Sequence, residues 1–172
     1  MSGFFPGSAK LALVLFLLLP TACIYGLSGG GGFPSDIRTV FIAPLGDETG
    51  RFDVGQQIFT ELSDELPRAL GLRLAGERAA DALVRGTVTR YEDAAQNYRP
   101  GEPGSVDVVQ HQVQITMSIQ IIDVRRSVIL YEQTAVSGRG EYRPDTQSDE
   151  VARARAIETL IQQIINGAQS QW

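Results

Sequence analysis

From Val109 to Ile121 the chain alternates without a break. Val109, His111, Val113, Ile115, Met117, Ile119 and Ile121 take one parity; Gln110, Gln112, Gln114, Thr116, Ser118 and Gln120 take the other. Successive side chains of a β-strand point to opposite faces, so a period of two over this length predicts a long strand with one face in a core and one face polar. Asp123-Val-Arg-Arg-Ser127 breaks the pattern and predicts a hairpin turn, with Val128 to Val136 as the partner strand. The inward face of that partner is not decided by its pattern.

The other elements follow from period and punctuation. Ile37 to Ala43 is β-branched and aromatic, stops at Pro44, and predicts a first strand, followed by a loop over Leu45 to Gly50. Asp53, with Gln56 three residues on, predicts a capping box, and Val54, Ile58, Leu62 and Leu66 recur every four residues on one helical face. Pro67 predicts a kink or stop there, and Gly71 a C-terminal cap. Ala82 to Tyr91 predicts a second strand, and Pro100, Gly101, Pro103 and Gly104 a polar loop; Gly138, Gly140 and Pro144 predict another. Ser148 is placed to cap a last helix, with Asp149 and Glu150 in its first turn, an apolar stripe of Val151, Ile157, Leu160, Ile161, Ile164 and Ile165, and an end at Gly167. The order strand-helix-strand-strand-strand-helix predicts an α+β two-layer sandwich, two helices packed on one face of a mixed four-stranded sheet.

Ahead of this domain, nine apolar residues from Leu11 to Leu19 follow Lys10 and lead into Pro20-Thr21-Ala22-Cys23. A membrane-spanning helix needs roughly 20 such residues, so this is the length of a secretory signal. Its exit looks like a bacterial lipobox, with Pro20 where leucine is usual. An exported chain with a single cysteine has no partner for an internal disulfide. Acylation of Cys23 by a diacylglycerol thioether, with a further chain such as palmitate on the freed amine, gives that cysteine a role. Each buried methylene contributes about 0.8 kcal/mol to such an anchor. The alternative is an ordinary signal peptide with a chance cysteine. Ile24, where an aspartate would resemble the inner-membrane retention signal, favours the outer membrane. Gly29 to Gly32 read as a tether, since no Gly-Lys-Ser/Thr follows to make a phosphate loop. The expected organisation is therefore a signal over 1–22, a lipidated Gly-rich tether over 23–36, and one periplasm-facing domain over 37–172. Without the signal, 14 arginines face 20 acidic residues, which argues against nucleic acid as a partner.

No catalytic constellation is visible, and the chain is not expected to be an enzyme. His111 is the only histidine and lies on the apolar side of its strand, where a core or edge histidine with one hydrogen bond is the plain reading. One cysteine and one histidine exclude a zinc site, and no cofactor is expected. Asp47 and Glu48 in Gly46-Asp-Glu-Thr-Gly50 read as solvated turn acids, and no Gly-x-Ser-x-Gly elbow exists.

The lipobox, the Cys23-Ile24-Tyr25 start, the Ile37-Arg-Thr-Val-Phe-Ile42 strand with Pro44 after it, and Ala80-Asp-Ala-Leu-Val-Arg-Gly86 together resemble the lipopolysaccharide-assembly lipoprotein family, LptE. The resemblance implies an outer-membrane lipoprotein seated in the barrel of an LptD-type protein, assisting barrel assembly and delivery of lipopolysaccharide to the outer leaflet. The first strand also resembles envelope lipoproteins of another class, which activate peptidoglycan synthases or build secretion channels. Two sites follow as expectations. Gln110, Gln112, Gln114, Thr116, Ser118 and Gln120 form a neutral face that either meets a partner or simply faces water. Arg125 and Arg126, at a hairpin tip, either keep the turn soluble or bind the phosphates of lipopolysaccharide through their planar donor forks.

Overall fold

A computed structural model describes residues 33–100 and 106–171. The elements are β1 (Thr39–Ile42), β2 (Gly46–Asp47), α1 (Phe52–Leu70), β3 (Arg73–Leu74), a 3-10 turn (Glu77–Ala79), β4 (Ala82–Pro100), β5 (Val106–Asp123), β6 (Val128–Tyr142) and α2 (Asp149–Ser170). The sheet runs β3-β1-β4-β5-β6, with β2 also paired to β4. β1 is parallel to β3 and β4, while β4, β5 and β6 form an antiparallel meander, so the sheet is mixed and the α+β class stands. Among the described residues it has six strands rather than four. β2 and β3 are two residues each, too short to carry a period, and exist only because their backbones meet β4 and β1.

Val113, Ile115, Met117, Ile119 and Ile121 of β5 are all buried, and they form one core with Val54, Ile58, Leu62 and Leu66 of α1 and Ile157, Leu160, Ile161 and Ile164 of α2. Each such side chain contributes about 1.5–3 kcal/mol when fully buried. Val151, expected in that stripe, is exposed. The two helices run parallel: Arg153 pairs with Asp53 at 2.9 Å, Gln162 with Glu65 at 3.0 Å, and Gln169 with the Ala69 carbonyl at 3.0 Å. Both N-termini therefore lie at one end of the sandwich.

Several boundaries differ from the sequence reading. The residue before α1 is Arg51, with no side-chain cap; Asp53 sits inside the first turn and spends its carboxylate on Arg153. Pro67 is inside α1, whose end comes at Gly71 (φ 70°), where Leu72 N–H donates to the Pro67 carbonyl at 2.7 Å. Ser148 holds the cap position of α2 but makes no side-chain cap bond. β4 continues past Tyr91 to Pro100; Gly101, Pro103 and Gly104 lie outside the described residues.

Gly138 and Gly140 belong to β6, not to a loop, because α2 crosses directly over them. A Cβ at Gly138 would lie 1.9 Å from the Ala156 carbonyl oxygen, and one at Gly140 1.9 Å from that of Ala152. Gly167 is interior to α2 for a similar reason, with the Tyr131 hydroxyl 2.5 Å from where its Cβ would be. Register shifts between Met117 and Ile119, and between Ile121 and Ile122, break the alternation of β6 and bury both Leu130 and Tyr131. That break is why the inward face of β6 was not decided by sequence.

Candidate interaction face

Both helices cover one face of the sheet, so the polar row of β5 lies on the other. Register places Arg85, Thr87, Arg90 and Glu92 of β4 on one side of that row, and Glu132, Ser137, Arg139 and Glu141 of β6 on the other. Arg85 Nε donates to Gln120 Oε1 at 3.1 Å, and Gln120 donates to Glu132. Arg139 Nε donates to Gln114 Oε1 at 2.9 Å, while Gln110 and Gln112 both donate to Glu141. Asn97 Nδ2 donates to Gln110 Oε1 at 2.5 Å, and Thr89 Oγ1 to the Thr116 carbonyl at 3.2 Å. The row is neutral only along β5. Its neighbours make the face a ladder of mixed charge with amides bridging the two signs. All six of Gln110, Gln112, Gln114, Thr116, Ser118 and Gln120 are half-buried among these neighbours.

Arg125 and Arg126 do sit at the β5–β6 turn, but their guanidiniums are occupied. Arg125 Nη2 donates to the Asp36 carbonyl at 2.8 Å and lies 3.4 Å from Asp81 Oδ1. Arg126 pairs with Asp36 at 2.5 Å and with Asp123 at 3.4 Å. Asp123 is 1% exposed, and its Oδ1 accepts the backbone N–H of both arginines at 2.8 and 3.0 Å, which closes the turn. Asp81 accepts from the backbone N–H groups of Arg38 and Thr39 and from the Thr39 hydroxyl. The Arg38 amide foremost, then the Thr39 hydroxyl, holds its carboxyl below the usual range. A phosphate would have to compete with these carboxylates.

His111 is half-buried, with Nδ1 2.9 Å from Asp93 Oδ1. The other Asp93 oxygen accepts the Tyr142 hydroxyl at 2.9 Å, and the His111 and Tyr142 rings are 5.1 Å apart. Burial foremost, with the bond to Asp93, pushes the Tyr142 phenol up to about 12. This is a half-buried histidine on an interior strand, held by one hydrogen bond; no nucleophile faces it among these contacts. Nearby, Arg51 stacks 4.1 Å over the Tyr91 ring, whose hydroxyl is buried without a partner. Asp47 closes its loop on Thr49, whose hydroxyl foremost lowers its carboxyl pKa. Asp36, Asp93 and Tyr142 do not stand out in the sequence, and Asp81 does so only as part of the Ala80–Gly86 run, because their partners lie 18 to 89 residues away.

Among the described residues, no group of three His, Cys, Asp or Glu side chains could hold a metal, and no helix is long and apolar enough to cross a membrane. Cys23, the signal over 1–22 and Gly29 to Gly32 lie outside the described residues.

A family model described as "LptE: Lipopolysaccharide-assembly" matches residues 37–167. No curated protein sequence matches the chain. Among solved structures, the hypothetical protein CT253 from Chlamydia trachomatis is 9% identical, with 77% of this chain and 98% of that chain covered and a TM-score of 0.50. Lipoprotein GNA1162 from Neisseria meningitidis is 12% identical, covering 75% and 99%, at 0.46. The PelC dodecamer from Paraburkholderia phytofirmans is 14% identical, covering 83% and 94%, at 0.44. At these identities the likeness concerns fold alone, and only the first reaches a score that bears on it.

Proposed function

This chain belongs to the LptE family of lipopolysaccharide-assembly proteins, and we propose that it is an outer-membrane lipoprotein, anchored through Cys23, that seats in an LptD-type barrel as a non-enzymatic partner. There it supports barrel assembly and the passage of lipopolysaccharide to the outer leaflet. The geometric observation that favours this reading is the sheet face left without a helix layer, carrying Arg85, Glu92, Glu132, Arg139 and Glu141 around the β5 amides. Barrel interiors are polar, so a mixed ladder of donors, acceptors and both charge signs can pair with such a wall. A purely apolar face could not.

The test is co-purification from solubilised outer membranes. A large β-barrel protein should accompany the chain. Gln112→Glu with Ser118→Glu, which adds two charges and places one beside Glu141, should lower the barrel's recovery without moving the melting temperature. Recovery of a peptidoglycan synthase, or of a secretion-channel protein, would replace this reading with the other envelope class.

A further inference from the structure

Among the described side chains, the outer sheet face is polar along most of its length, but not at the end that carries the β5–β6 turn. Register sets Phe41, Leu83, Ile122 and Ile129 side by side across four strands on that face. Ile129 is 49% exposed, and Val124 and Val128, flanking the same turn, are 46% and 49% exposed. Single exposed apolar residues are ordinary; a row that ends beside Val124 and Val128, exposed on either side of the two turn arginines, marks a contact surface. The next row inward, Arg85-Gln120-Glu132, is polar, so the band has a sharp border. Beside it lie Asp36, Asp81 and Asp123 with Arg38, Arg125 and Arg126, whose charges cancel.

The chain's first described residues are at this same end, since Asp36 bonds both Arg125 and Arg126. Ten residue steps separate Cys23 from Phe33, a reach of at most about 35 Å. That count sets an upper bound on how far this end can stand from the surface that holds the anchor.

We propose that the apolar hairpin end is a membrane-contact surface, with Val124, Val128 and Ile129 entering the headgroup region of the leaflet that holds the acyl chains of Cys23. The proposal rests on the lipidation reading above. Because the ionic cluster is neutral, the contact is driven by apolar burial and needs no anionic lipid; the arginine stems can lie along the band with their heads in water. A weak surface suffices, because a short tether holds it at an effective concentration of about millimolar.

The full mature chain, acylated at Cys23 and reconstituted in phosphatidylcholine vesicles, tests this. Val124→Cys supplies one free thiol for an environment-sensitive fluorophore, and Gln112→Cys, far along the same face, supplies the comparison. The label at 124 should shift to the blue and be quenched by spin-labelled lipid several-fold more than the label at 112, equally at low and high salt. Val128→Ser with Ile129→Ser should abolish most of that difference. Equal, water-like signals at both sites would overturn the proposal. Intact mass reports separately whether Cys23 is acylated. If it is not, a histidine tag replacing it on vesicles with nickel-chelating lipid restores the tether, and the same comparison decides the contact.

Discussion

The Tyr131 hydroxyl stands where a side chain on Gly167 would begin: a Cβ there would lie 2.5 Å from Oη and 2.8 Å from Cε2. Helix propensity alone predicts that Gly167→Ala gains about 1 kcal/mol. Tyr131 is 2% exposed and cannot swing aside freely, so the substitution should instead cost about 1–3 kcal/mol in urea unfolding. Tyr131→Leu in the same chain should recover part of that cost, with a coupling of about 1 kcal/mol. Additive losses would show that the two residues do not press on each other.

Gly140→Ala should be worse. The obstacle is the Ala152 carbonyl at 1.9 Å, a backbone atom fixed by the helix. We expect a loss of about 3 kcal/mol or more, read as a large drop in melting temperature. An unchanged melt would mean that α2 can lift from β6 cheaply.

Alkaline pH should weaken the domain through Tyr142. Its folded pKa, pushed up to about 12 from an ordinary 10, means the folded chain keeps a proton the unfolded chain has lost in that window. The contribution is complete below pH 10 and disappears as pH rises towards 12. Tyr142→Phe should flatten stability against pH across this window; an identical slope in the variant would place the effect elsewhere.

Removing Arg125 and Arg126 together should not leave the fold untouched. Arg126 faces the buried Asp123 carboxylate, and although both guanidiniums are largely in water, the double alanine variant should lose about 1 kcal/mol. If these arginines also serve lipopolysaccharide phosphates, binding should fall in a salt-sensitive way beyond that loss. Binding that is unchanged at low salt would leave them with the turn alone.

Cys23→Ala should move the protein from the membrane fraction to the soluble periplasm. An intact mass showing Cys23 unmodified, or cleavage at another bond, would count against the anchor.

The strict alternation of β5 determined a half-buried strand, one covered face and hence a two-layer sandwich, and the apolar spacing of α1 and α2 determined which helix faces fill it. These are local properties: a period of two or of about four is written in neighbouring residues and survives in any context that buries one side. The family resemblance, too, rested on short runs such as Ile37 to Ile42. What tertiary structure decided are the relationships between residues far apart. Gly138 and Gly140 read as loop signals until α2 crosses over them, and Gly167 as a stop signal until Tyr131 packs against it. The register shifts in β6 bring both Leu130 and Tyr131 into the core. Arg125 and Arg126 look like a free basic pair until Asp36 and Asp81 arrive from two other places in the chain and join Asp123 of the same turn. Steric contact and charge pairing act through space, so no pattern along the sequence could carry them.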